Sequence, residues 1–381
     1  MTALLARAGS RLITSIALRS AVRTSHAAWR SLRGQPPTVH VFYDPEDPYS
    51  RLLASVMSAF AARYAVRIID HLVPPPDAEA AADAPALTAW SHRDALRLAS
   101  HYGLTPPDAL PASRNVTPQA LQDGAMLRKQ LGHYLGGTLY FEGEWYWGID
   151  RLHYLETRLT QAGLRKEPGR EALYPPPAVS AAPTSPVRPR QRHLTFFCSL
   201  RSPYTYLAVA RVRALAKRHG ATLELAFVLP MVMRGLPVNR AKRLYIVRDA
   251  KREAERLHLP FGDIVDPVGA PTERGLAVMH HAIALGCGEE FLESFLRGVF
   301  AEGLDAGSDR GLQRIANRAG MNATAVSRAL EDPSWRDLAQ CHRDRMQRLG
   351  LWGVPSFRVD DRPGLWGQDR LFMVEQDLAE T

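Results

Sequence analysis

Apolar and polar positions run through the same succession twice along the chain. Residues 38–44 (T-V-H-V-F-Y-D) and 193–199 (H-L-T-F-F-C-S) are apolar, aromatic-rich runs of strand length. A turn follows each, D-P-Y-S at 47–50 and S-P-Y-T at 202–205, and opens a helical pattern. Asp47 and Ser202 are helix-capping residue types, and the proline after each suits a first helical position. A second strand candidate comes next, at 66–72 or 222–229, and ends near Pro74 or Pro230. R-D-A recurs at 93–95 and 248–250, ahead of leucines that close a helix, Leu104 and Leu259. W-G-I-D-R-L (147–152) matches W-G-Q-D-R-L (366–371), each after a two-strand pattern and before a terminal helix. Landmarks repeated in one order predict an internal duplication.

The repeats differ mainly in one interval, 104–136 in the first and the far longer 259–354 in the second. Helical periodicity at 276–285, 291–300 and 335–349 predicts an extra helical block there. Strand–helix–strand, a helical insertion, then two strands and a helix is the order of a thioredoxin-type α/β unit. The 381 residues are therefore expected to hold two tandem thioredoxin-like domains, at 37–160 and 193–381. The second would carry a full α-helical insertion at about 231–345. Between them, 161–192 reads as a Pro-rich extended linker, with seven prolines from 168 to 189.

Charge changes the picture less than its total suggests. The net charge of +9 invites a nucleic-acid reading, but residues 1–36 hold six arginines and no acid, and 161–192 is also basic. With those two segments set aside the chain is close to neutral, so no nucleic-acid face is expected. Segment 1–36 reads as a solvated basic tail, a membrane-surface amphipathic helix or a transit peptide. Its apolar runs are too short to span a bilayer. A cytoplasmic location is expected, or a mitochondrial one in a eukaryotic source.

Three separated cysteines, Cys198, Cys287 and Cys341, exclude a disulfide framework, a cysteine-rich zinc site and a C-x-x-C redox pair. Cys198 reads as a buried strand residue. His280, His281 and His342 lack metal-ligand spacing, and no metal is expected. S-P-Y-T-Y-L-A, the L-P…R-A-K-R-L-Y-I-V-R-D stretch and G-V-P-S-F-R-V-D…L-W-G-Q-D-R-L together carry a resemblance over about 193–381. This half resembles the DsbA-like thioredoxin superfamily and, within it, kappa-class glutathione transferases and 2-hydroxychromene-2-carboxylate isomerases. The first half resembles the same fold in a shortened, degenerate form.

A redox member carries two sulfurs at the start of its first helix; here Asp47 and Ser50, and Ser202 and Thr205, occupy those places. Dithiol exchange is thereby excluded, while a helix N-terminus still favours an anion. The resemblance implies glutathione as cofactor, with Ser202 holding its thiolate. It places Pro203, Tyr204, Val354, Pro355 (a cis proline), Gln368 and Asp369 against the tripeptide. Asp369 could instead cap the last helix. Lys242 or Arg243 could hold a substrate carboxylate. Two positions depart from the kappa pattern, Met233 in place of an asparagine and Arg201 in place of an apolar residue. The implied function is glutathione-dependent cis–trans isomerisation of a small aromatic substrate. A kappa-type transferase and a catalytically inactive binding or scaffold protein are the alternatives. Assembly would be a pseudo-dimer of the two halves within one chain, or a homodimer.

Overall fold

A computed structural model describes residues 2–77, 81, 83–110, 115–169, 171–179, 192–236 and 238–380. The chain divides into two compact units. One comprises Ile16–Pro177 with Val238–Tyr245, the other Met1–Ser15, Ala178–Pro237 and Ile246–Thr381.

The first of these contains strands β1 (Thr38–Tyr43), β2 (Arg67–Leu72), β3 (Thr138–Phe141) and β4 (Glu144–Trp147) in the order β2-β1-β3-β4. β1 pairs parallel with β2 and antiparallel with β3, and β3 pairs antiparallel with β4. Helix Pro48–Arg63 makes the crossover between the parallel strands, so its N-terminus stands at the carboxyl end of β1. Val39, Val41, Leu53, Val56 and Phe60 are fully buried between this sheet and helix.

The other unit has β5 (His193–Cys198), β6 (Thr222–Phe227), β7 (Ser356–Val359) and β8 (Leu365–Trp366) in the order β6-β5-β7-β8. The pairing senses are the same, parallel at β5–β6 and antiparallel at β5–β7 and β7–β8. Helix Pro203–Arg218 is its crossover. Between β6 and β7 come helices Ala270–Ala284, Gly288–Ala301, Asp309–Arg318, Ala323–Glu331 and Trp335–Arg348, which take up the three periodic segments. Their packing buries Phe291, Phe295, Val299 and Ile315 completely.

Three segments refine the expected plan. First, the basic N-terminal segment, expected as a tail or an amphipathic helix, forms helices Thr2–Ile13 and Ile16–Leu32. In the first, Arg11 Nη2 donates to Asp263 at 2.8 Å and Ser10 Oγ donates to the Gly262 carbonyl at 2.9 Å. In the second, Arg23 forks onto Glu144 with two 2.8 Å bonds and Arg30 Nε reaches Glu142 at 2.6 Å. The arginines thus find carboxylates hundreds or scores of residues away, which a composition count cannot see. Second, the stretch after 161 begins as part of the first-half unit. The Ala65 amide bonds the Leu164 carbonyl at 2.8 Å, and buried Glu156 accepts from the Leu173 amide at 3.0 Å. Most of the expected linker beyond that, 180–191, lies outside the described residues. Third, helix Arg240–Arg256 begins in one unit and ends in the other. Tyr245, in a cluster with Phe42, Val73 and Trp145, sets the place of its first turns. Among the described residues no helix is long and apolar enough to cross a membrane.

Candidate functional site

Ser202 caps helix Pro203–Arg218, its Oγ accepting from the Thr205 amide at 3.1 Å. The same Oγ donates to the Val354 carbonyl at 3.3 Å, which brings the helix start against the Val354–Pro355 loop. The Val354–Pro355 peptide is cis, as the resemblance implies. Pro355 is tied in turn to the W-G-Q-D turn, the Gly367 amide donating to its carbonyl at 3.0 Å. Three of the sequence landmarks therefore meet at the carboxyl end of β5. The 3.3 Å bond is long and weak, so the Ser202 hydroxyl can turn to another acceptor at small cost. Thr205, at the second sulfur position, is fully buried and its Oγ1 has no partner among the described residues. Cys198 is buried at the end of β5, and desolvation pushes its thiol far above the ordinary range, so it offers no thiolate.

Gly353 fixes the wall of the site. A Cβ there would overlap the Trp366 indole, which packs edge-on to Trp352 with ring centroids 4.7 Å apart. Arg234, at the end of the short 3-10 turn after β6, donates to the Trp352 carbonyl at 2.9 Å. Trp366 heads the W-G-Q-D-R-L landmark, but neither Arg234 nor Trp352 stood out in the sequence. The only signals were the quoted L-P motif upstream and the W-G motif downstream.

Other expected residues fare differently. The Tyr204 hydroxyl is engaged by buried Asp249 at 2.8 Å, itself held by Arg252 at 3.2 Å. Both ends of the Gln368 amide are engaged: Nε2 donates to Glu253 and Oε1 accepts from Arg211, both at 2.8 Å. Burial lowers Arg211 to about 10, which leaves it charged and able to hold this pair at neutral pH. Asp369 does not cap the last helix, whose N-cap is Arg370 without a side-chain bond; its carboxylate lies 3.4 Å from Arg370 and stays partly exposed. Lys242 and Arg243 belong to the other unit, Lys242 over the Tyr134 ring at 5.9 Å and Arg243 exposed. Arg201 forks onto Asp266 through two 2.6 Å bonds, which accounts for a charge at a position expected to be apolar.

Residues 193–379 match the family described as the DSBA-like thioredoxin domain. This half of the chain is a DsbA-like thioredoxin domain. It is 24% identical over 195 residues to a 2-hydroxychromene-2-carboxylate isomerase from Sphingobium xenophagum, covering 49% of this chain and 98% of that protein. A protein of the same name from Pseudomonas putida is 23% identical over 192 residues, covering 48% and 93%. The solved structure of a 2-hydroxychromene-2-carboxylate isomerase superposes with a TM-score of 0.41 at 22% identity, over 48% of this chain and 93% of that one. These relatives match only the half that carries Ser202, so the DsbA-like domain has isomerase homologues and the first half lies outside the match.

Proposed function

We propose that the DsbA-like domain is a glutathione-dependent isomerase of the 2-hydroxychromene-2-carboxylate isomerase type, with Ser202 as the group that holds the thiolate. The observation that carries this reading is the meeting of a hydroxyl, a helix N-terminus and the cis Val354–Pro355 loop where a redox relative would hold sulfur. Free glutathione has a thiol pKa near ~8.5, and a hydroxyl donor with a helix N-terminus lowers such a value. When bound, glutathione supplies a nucleophile that adds to a conjugated double bond, permits rotation about the resulting single bond and departs, with no net redox change. Ser202 would turn its proton from the Val354 carbonyl to the sulfur. The Val354 amide, which has no backbone partner among the described residues, would pair with the cysteinyl backbone. Thr205 Oγ1 is a further buried hydroxyl in want of a partner at this place. At the γ-glutamyl end Asp369 is the remaining candidate, since the Gln368 amide is held internally. That internal bonding favours the second reading, a binding protein without catalysis.

Calorimetric titration with glutathione, with the thiol pKa measured spectroscopically in the complex, separates the two. Binding with a depressed thiol pKa that Ser202→Ala abolishes supports the isomerase; no binding at millimolar glutathione sinks it. We also infer that the two halves are one unit written twice. The inference is supported by their shared strand order and by matched bonds, Gly148 to the Gly137 carbonyl at 2.7 Å and Gly367 to that of Pro355 at 3.0 Å.

A further inference from the structure

One charged group beside the site has no carboxylate to answer it. Arg234 is half-buried, its Nε is enclosed with no partner among the described residues, and its Nη2 donates to the Trp352 carbonyl at 2.9 Å. Among the described residues no Asp or Glu lies within ion-pair reach of it, although most arginines of this unit have such a partner. Its charged neighbour is another arginine, Arg343, and burial together with that like charge lowers the Arg234 guanidinium to about 10, still protonated at neutral pH. Holding a desolvated cation unpaired is costly, so such a group is a standing site for an anion. Its position is fixed relative to the reacting end of the site: Ser202 donates to the Val354 carbonyl, and Arg234 to the carbonyl two residues earlier in the same loop. Between them lie Gly353 and the edge-to-face Trp352–Trp366 pair, Trp352 buried and Trp366 part-exposed.

We propose that Arg234 is the carboxylate-binding residue of the substrate site, selecting an aromatic carboxylate whose ring lies against the part-exposed Trp366. The planar guanidinium fork suits a carboxylate, and its Nη1, which takes no partner among the described residues, supplies a donor that the Trp352 carbonyl does not use. The assignment rests on the isomerase reading for what happens to the ligand, but binding of the anion does not need glutathione. It replaces Lys242 and Arg243, which the first-half unit holds.

The test uses the full chain, cinnamate and its neutral isostere cinnamamide, with Kd from tryptophan quenching confirmed by calorimetry. Cinnamate should bind roughly 10- to 100-fold more tightly than cinnamamide, the range for a hydrogen bond to a charged group. Arg234→Met should remove that preference, and Arg234→Lys should restore part of it. Melting of Arg234→Met should show a Tm equal to or above that of the parent protein, because an unpaired buried charge is removed. A lowered Tm with unchanged cinnamate selectivity would assign Arg234 a structural role and overturn the proposal. Equal binding of acid and amide by the parent protein overturns it as well. Loss of glutathione affinity in Arg234→Met, with cinnamate selectivity intact, would assign the guanidinium to the tripeptide and not the substrate. Failure of glutathione to bind at all, with the acid-over-amide preference kept, removes the isomerase reading and leaves the anion site standing.

Discussion

The two crossover helices begin with D-P-Y-S and S-P-Y-T, and their surroundings differ more than those letters suggest. At the first, Asp47 accepts from the Ser50 amide at 2.9 Å, and the Ser50 hydroxyl donates to Asp47 at 2.9 Å while accepting from the Asp44 amide at 3.0 Å. Gly137, at φ +60°, lies so close that a Cβ there would stand 3.1 Å from Asp47 Oδ2 and 3.3 Å from the Ser50 amide. Every group at this helix start is engaged and the backbone closes over it. At the second, Ser202 accepts from the Thr205 amide at 3.1 Å but donates only through the long 3.3 Å bond to Val354, Thr205 Oγ1 has no partner among the described residues and the opposing loop is Val354–Pro355. The lesson is that a helix N-terminus whose capping groups are left incompletely satisfied keeps donors that a ligand could use. Satisfying them internally turns the same motif into structure.

The largest effect expected is at the incompletely satisfied start. Ser202→Ala should lower isomerase turnover by roughly two to three orders of magnitude, the cost of losing one donor to a developing anion. Ser202→Asp, which writes the first helix start into the second, should raise the thiol pKa of bound glutathione above its free value through like-charge repulsion. Stopped-flow turnover and the spectroscopic thiol titration measure both. A Ser202→Asp protein that still ionises glutathione would break the contrast between the two starts.

Next comes the pair Asp44 and Ser199, each directly after its central strand. Desolvation raises Asp44 from 3.8 to about 6, and Asp47 is raised by the same cause. A carboxyl whose folded value lies above its unfolded one binds more protons when folded, so stability falls as pH rises from about 4 to about 6. The charged form then costs the fold about 2–3 kcal/mol at neutral pH. Asp44→Asn should recover much of this and flatten the pH dependence of denaturant unfolding across that window. An unchanged slope would show that the carboxylate is solvated and that the first helix start is more open than its geometry implies.

Much of this contrast was legible in the sequence, because it rests on local chemistry. A capping residue, a following proline and an apolar run fix a helix start, and two such starts with matched strands give the fold order. The replacement of sulfur by oxygen is likewise plain from four letters in each half. What the letters do not carry is where long side chains go. Lys242 and Arg243 share a stretch with Tyr245, and it is the burial of that ring among Phe42, Val73 and Trp145 that assigns them to the first-half unit. Gln368 has a residue type suited to a ligand, yet Arg211 and Glu253, 157 and 115 residues away, take both ends of its amide. Arg234 was hidden for the opposite reason: an unpaired charge is a property of its neighbours, not of its own position.

Gly137→Ala tests the closure of the first start directly. The new Cβ must accept a positive φ and a contact at 3.1 Å, costing about 1–2 kcal/mol of stability. Denaturant melts should register that loss while the Ser202 site keeps its turnover. A neutral substitution would show that the loop over Asp47 gives way readily, and the first start would then be a site closed only by default.

The smallest effect concerns what the two halves share. Tyr49 and Tyr204 each follow the proline of their helix start, and each donates its hydroxyl to the aspartate of an R-D-A motif, Asp94 and Asp249. The sequence separation is 45 residues in both cases. Tyr→Phe at either position removes one hydrogen bond to a buried carboxylate and should cost about 1 kcal/mol. If the halves descend from one unit, the bond does the same thing in both: it ties the crossover helix to the helix behind it, independent of whether the site is open. Tyr49→Phe and Tyr204→Phe should then lower unfolding stability by similar amounts, and the double variant by their sum, since the two bonds share no residue. A loss at one position and none at the other would make the matched geometry a coincidence of spacing, and the open site at Ser202 would have to be explained without its closed counterpart.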